Sequence, residues 1–251
     1  MKKLWKAFWM SFSMFCAIPT PFSHVWEESV RSLMLVMFPF VGAIIGAIWA
    51  LCGILLTKIG CPLFLKAALL TLLPYWLTGG IHLDGYMDCC DAIFSRRPLE
   101  KRREILKDSH VGSFAVTHLA MLFLIGFAAF ASCEGEKNYA VLILICMASR
   151  AASAIGVSTL RPMNHSEYAG NFQEGIQKGN VIALFVILLL SMGLGFWLFG
   201  WNGFLSVLAA VLGYAIFTGI AFKDLDGFSG DVTGFGHTLG ELCGILVFAL
   251  L

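Results

Sequence analysis

VIALFVILLLSMGLGFWLF, residues 181–199, is an uncharged apolar run of 19 residues. As a helix it measures about 28 Å, close to the roughly 30 Å hydrocarbon core of a bilayer. Gly200-Trp201-Asn202 interrupt it, and a second apolar run fills 203–222. Segments of the same kind lie at 31–57, 62–80, 112–131 and 139–160. Together they predict an all-α, polytopic transmembrane helical bundle, because helices satisfy their own backbone groups in lipid. A further stretch, 239–251, has only 13 residues. As a helix it is about 20 Å long, so an incomplete crossing is expected there and the total is six to seven spans.

Composition agrees with that architecture. Hydrophobic residues make up 59% of the 251-residue chain, charged residues 13%, and mean hydropathy is +0.82. A soluble domain of this length needs far less apolar surface. A net charge of +1 gives no reason to expect nucleic acid as a partner.

The charges are segregated along the chain. With the N-terminus cytoplasmic, Lys2, Lys3, Lys6, Arg31, Arg96, Arg97, Lys101, Arg102, Arg103, Lys107, Arg161, Lys178 and Lys223 fall on the inner side. Lys58, Lys66 and Lys137 fall outside. The rule that inner loops carry the basic residues therefore places 1–30, 81–111, 161–180 and 223–238 in the cytoplasm. The expected location is the cell (inner) membrane, with the polar chemistry facing the cytoplasm.

No internal repeat or long linker divides the chain, so 1–251 reads as a single integral-membrane domain. Its basic, aromatic start within 1–30 is expected to lie as an amphipathic helix on the cytoplasmic membrane surface. Lys6 breaks its apolar part and no small-residue cleavage site follows, which argues against a signal peptide. The eight cysteines show no CxxC spacing. Even Cys89 and Cys90, inside an acidic motif, are read as packing thiols.

That motif is Thr78-Gly79-Gly80-Ile81-His82-Leu83-Asp84-Gly85-Tyr86-Met87-Asp88-Cys89-Cys90-Asp91. On a helix, spacings of four and three place Asp84, Asp88 and Asp91 on one narrow face. Acids at the lip of a membrane span are costly, and three together call for a cation. A hard ion such as Mg²⁺ takes carboxylate oxygens and leaves positions open for phosphate. Asp108, in Asp108-Ser109-His110, is either a further ligand or an N-cap for the next span. Arg150 lies inside an apolar run and should pair with an acid or with substrate phosphate. Arg161 serves the same cavity or anchors the interface. Asp231 and Thr233, in a glycine-rich stretch from Gly227 to Gly234, offer oxygen ligands or a base. Glu241 is a buried carboxylate whose partner is Arg150 or a metal.

On these residues the chain resembles the cobalamin synthase family, the adenosylcobinamide-GDP ribazoletransferases. The resemblance covers nearly the whole chain: Phe38-Pro39-Phe40-Val41-Gly42 to Gly46, the motif from Thr78 to Gly85 with Asp88 and Asp91, Lys107-Asp108-Ser109 with Gly112, Ser149-Arg150, and Gly227 to Gly234 with Gly240-Glu241-Leu242. It implies a transferase that joins adenosylcobinamide-GDP to α-ribazole, or to its 5′-phosphate, with release of GMP and a requirement for Mg²⁺. It further implies metal ligation by Asp84, Asp88 and Asp91 with Asp108 and Glu241 as additional candidates. Substrate contacts fall to Arg150, Arg161, Lys107, Ser109 and Gly230, and activation of the ribazole hydroxyl to Asp231 or His82. The implied partners are these small molecules and the lipid bilayer, with room for a homo-oligomer.

The chain departs from the family pattern at three places. Ser229-Gly230-Asp231-Val232-Thr233-Gly234-Phe235 stands for the usual TGDxxGA, Thr238 for a glutamate, and His110 for an arginine. Rival readings fit less well. A prenyltransferase would carry two comparable aspartate-rich motifs, and a phosphatidyl-alcohol transferase a DG-x2-AR start. A transporter would spread its acids through the membrane depth, whereas only Glu134 and Glu136 fall on the outer side here.

Overall fold

The computed structural model describes residues 2–20, 26–133, 137–163, 172–173 and 176–251. Glu134 and Glu136 lie outside the described residues. The helices are α1 Lys2–Phe15, α2 Arg31–Lys58, α3 Leu63–Leu77, α4 Ile81–Phe94, α5 Leu99–Ile105, α6 Ser113–Ala131, α7 Val141–Thr159, α8 Lys178–Leu225 and α9 Gly230–Leu250. Among the described residues no strand forms, and Pro162 meets Phe228 in an isolated bridge. Among the described residues, five helices are long and apolar enough to cross a membrane: α2 with the turn before it, α6, α7, α8 and α9. The bent pair of α3 and α4 makes a sixth.

Small residues bring the central helices together. A Cβ on Gly46 of α2 would stand 2.6 Å from Ile143 Cα of α7, so the two backbones touch. Around that contact Ile45, Trp49, Leu70, Leu142 and Ile145 are fully buried, and the Trp49 indole donates to the Leu70 carbonyl at 2.8 Å. A buried indole N–H without such an acceptor would be costly.

Two reversals shape the rest of the bundle. At Gly200 (φ 64°, ψ −151°) α8 turns back on itself. A Cβ on Gly195 would lie 3.1 Å from the Gly203 carbonyl, so the limbs 178–199 and 201–225 form an antiparallel hairpin, as the two apolar runs predict. Between α3 and α4 the axis bends by 96° at Gly79 (φ 63°) and Gly80 (φ 77°). These left-handed conformations suit glycine. The bend takes Leu77 out of the helical ladder, and its carbonyl accepts from the Ala17 N–H at 2.8 Å.

One expectation changes. The last helix is not a 13-residue remnant: α9 runs for 21 residues from Gly230 and is long enough to cross. Its polar first half falls in the segment 223–238 expected in the cytoplasm, yet Thr233, His237 and Thr238 are buried against neighbouring helices. The N-terminal helix packs lengthwise on the first half of α2. Lys6 pairs with Glu27 at 2.6 Å, Phe15 meets Phe38 at 4.2 Å between ring centroids, and Phe12 and Cys16 bury against Val41 and Ile45.

Candidate active site

From the break at Gly80, α4 runs to one end of the bundle, called here the near end. Gly80, Asp84, Asp88 and Asp91 recur along one stripe of it. Asp84 is exposed, and Asp88 and Asp91 are half-buried. The opposite face of α4, carrying His82, Gly85, Tyr86, Cys89 and Cys90, is buried. Both cysteines serve as core thiols.

The first turns of α9 pack directly on α4. A Cβ on Gly85 would stand 2.7 Å from Asp231 Cα, and one on Gly234 would stand 3.0 Å from the His82 carbonyl. This approach brings Asp231, with Asp84 and Asp91, within electrostatic reach of Asp88. Ser229 caps α9 by accepting from the Val232 N–H at 3.2 Å, and its hydroxyl lies 3.3 Å from Asp231 Oδ2. Gly230 is the first residue of that helix. The result is a group of carboxylates on two helices at the near end.

Asp91 has a second role. Its Oδ2 accepts from the Gly112 N–H at 2.7 Å and its Oδ1 from the Ala115 N–H at 2.9 Å. It therefore supplies from another helix the acceptors that α6 lacks, since the N-cap Gly112 has no side chain to offer. Asp108 does not cap α6: it bonds His110 instead, through Nδ1 at 2.7 Å and the backbone N–H at 3.0 Å. Those bonds hold its carboxyl below the usual range.

Asp226, at φ 52°, ties three elements of the near end together. Arg161, just past α7, donates to its Oδ1 at 2.6 Å, and Arg103 of α5 donates to its Oδ2 at 3.0 Å. Arg103 also donates to the Leu225 and Asp226 carbonyls. The Arg161 hydrogen bond and charge, with Arg103 behind them, keep the Asp226 carboxyl below the ordinary carboxylate range. The knot fixes the turn leading to Asp231.

Halfway along α7 and α9 lies an interior polar group. Arg150 is 1% exposed, and its Nη1 donates to Glu241 Oε1 at 2.7 Å and to the Cys146 carbonyl at 3.1 Å. Ser149 donates to the same carboxylate oxygen at 2.9 Å. His237, one turn before Glu241, places Nε2 3.4 Å from that oxygen. Its ring centroid is 4.3 Å from that of His82, which is also walled in by Phe15 and Phe38. Arg150 lies over the Phe38 ring at 5.7 Å.

The structure therefore divides the residues singled out in the sequence into three groups. Asp84, Asp88, Asp91, Asp231 and Gly230 meet at the near end. His82, Arg150 and Glu241 meet in the interior, where Arg150 is the partner of Glu241. Lys107, Asp108 and Ser109 are exposed in the link from α5 to α6, and Arg161 is engaged with Asp226. Sequence reasoning missed His237 and Asp226. The spacing of His237 and Glu241, four residues on one helix, was a usable signal.

Among the described residues no three His, Cys, Asp or Glu side chains form a closed ligand set. Mg²⁺ does not require one: it commonly takes one or two carboxylates, keeps waters, and completes its shell with substrate phosphate. Asp84 and Asp88, oxygen donors on the stripe with no competing soft ligand exposed beside them, suit that chemistry.

The family model described as cobalamin-5-phosphate synthase matches residues 7–249. An adenosylcobinamide-GDP ribazoletransferase of Clostridium perfringens (strain 13 / Type A) is 38% identical over 252 residues, covering 100% of both chains. One of Lachnoclostridium phytofermentans is 34% identical, covering 90% of this chain and 87% of its own. One of Geobacillus thermodenitrificans is 31% identical, covering 93% and 91%. No solved structure matches the chain.

Proposed function

The chain belongs to the cobalamin-5-phosphate synthase family, and on that premise we propose that it joins adenosylcobinamide-GDP to α-ribazole, or its 5′-phosphate, with release of GMP. The observation that carries the reading is the stripe of Asp84 and Asp88 facing Asp231 at one end of an apolar bundle. This suits a phosphoanhydride substrate, whose transfer needs positioning and charge neutralisation more than covalent help. The excess of basic residues at that end supports a position at the cytoplasmic face of the cell membrane.

Asp84 and Asp88 would hold Mg²⁺, with Asp91 fixing the stripe to α6. The ion, when bound, supplies positive charge to the pyrophosphate oxygens. Asp231 lies within electrostatic reach of the stripe and is the better placed base, because His82 is enclosed by three rings. It takes the proton of the ribazole hydroxyl as that oxygen bonds to the phosphorus bearing cobinamide. The bond from that phosphorus to the bridging oxygen breaks, and GMP leaves with the electron pair. Arg150, committed to Glu241 in the interior, contributes by holding α7 to α9. The basic α5 and Lys107 supply the anion-attracting field at the near end.

The test is incubation of the purified protein in lipid with adenosylcobinamide-GDP, α-ribazole and Mg²⁺. GMP and a cobamide should appear together in equal amounts. No product above a metal-free control would sink the assignment.

A further inference from the structure

The contact between α4 and α9 has two unlike halves. Near the open end Gly85 meets the Asp231 backbone and Tyr86 stacks on Phe235 at 5.7 Å between ring centroids. Such a contact allows close approach but has little direction, so it opposes sliding of one helix along the other only weakly. Deeper in the bundle the contact is polar. Thr238 Oγ1 donates to the His82 carbonyl at 3.2 Å, and the His237 ring lies 4.3 Å from the His82 ring. His237 and Thr238 are 2% and 3% exposed.

These two residues are themselves anchored. One turn on, Glu241 is fixed to α7 through Arg150 and Ser149. On the other side, Thr233 shares hydrogen bonds with Ser153 of α7 at 2.7 Å and Tyr214 of α8 at 3.1 Å. Thus α9 is held to α7 and α8 on both sides of the point at which it grips α4. By contrast, α4 begins at a two-glycine bend without a side-chain cap. Its axial place depends on what it touches.

We propose that His237 and Thr238 are positioning residues: they set the register of α4 on α9, and so the place of Asp84 and Asp88 relative to Asp231. Neither touches substrate. The proposal rests on the acid stripe being the reaction site.

The experiment uses the full chain in lipid nanodiscs and compares Thr238→Val, Thr238→Ser, His237→Phe and Asp88→Asn. Valine keeps the volume and loses the hydroxyl, serine keeps the hydroxyl, and phenylalanine keeps a ring without its nitrogens. Misplacement of reacting groups costs rate more than binding, so Thr238→Val should lower kcat about tenfold. KM for adenosylcobinamide-GDP should move less than about twofold and the Mg²⁺ concentration for half-maximal rate should rise, as expected for a displaced catalytic group. Thr238→Ser should restore both. A purely structural role would change the unfolding temperature and leave the Mg²⁺ dependence alone. If Thr238→Val does not fold, Thr238→Ala carries the same expectation. Wild-type kcat and Mg²⁺ dependence in both the Thr238 and His237 variants overturn the proposal. Full turnover in Asp88→Asn removes the site reading itself, and the proposal with it.

Discussion

Glu241 and Arg150 form a charge pair in the middle of the bundle, where each would be costly alone. Removing one partner strands the other: Glu241→Leu should lower unfolding stability by about 3–5 kcal/mol, whereas replacing both can be nearly neutral. Thermal unfolding in detergent should therefore show that the double variant Arg150→Met/Glu241→Leu is more stable than Glu241→Leu. Equal stability would mean that the pair is not a mutual requirement. This pairing was legible in the sequence, since two opposite charges in apolar runs must find partners or line a polar cavity. His237 was missed despite its four-residue spacing from Glu241, because the glycine-rich polar segment that carries it reads as a loop, where that spacing has no meaning. Asp91 was legible as an acid of the stripe. Its bonds to Gly112 and Ala115, on a helix 21 and 24 residues away, leave no local trace.

The decisive elements are α4 and α9, and their contact admits no extra atoms. Gly85→Ala would drive a methyl carbon to 2.7 Å from Asp231 Cα, a backbone atom that cannot swing aside. The helices must separate, at a cost of about 1–3 kcal/mol of stability. The same separation should lower turnover more than it raises KM. An alanine variant with wild-type stability and turnover would show that the contact is looser than described. The spans 31–57, 112–131 and 139–160 were legible because length and apolarity suffice to define a membrane-spanning helix. The extent of α9 was not. Its segment Ser229-Gly230-Asp231-Val232-Thr233-Gly234-Phe235-Gly236-His237-Thr238 looks like a loop, yet it is helical because other helices, and not lipid, surround it. The bend at Gly79 and Gly80 was likewise hidden: an apolar run followed by an acid motif reads as one continuing helix.

At the scale of the whole molecule, the starts of α6 and α9 and the ends of α4, α7 and α8 gather at one end, tied by Asp91 and Asp226. In the proposed orientation, based on the excess of basic charge, that end faces the cytoplasm. A cysteine introduced at Glu100, the exposed start of α5, should react with a membrane-impermeant maleimide in inside-out vesicles and not in intact cells. Labelling in intact cells would invert the topology. The proposed function rests on the acid stripe of α4, and Asp88→Ala in lipid nanodiscs tests it most directly. The account predicts a folded, membrane-inserted protein with the wild-type unfolding temperature within a few degrees and no Mg²⁺-dependent release of GMP from adenosylcobinamide-GDP and α-ribazole. Substantial Mg²⁺-dependent GMP release from that variant would contradict it and move the site elsewhere.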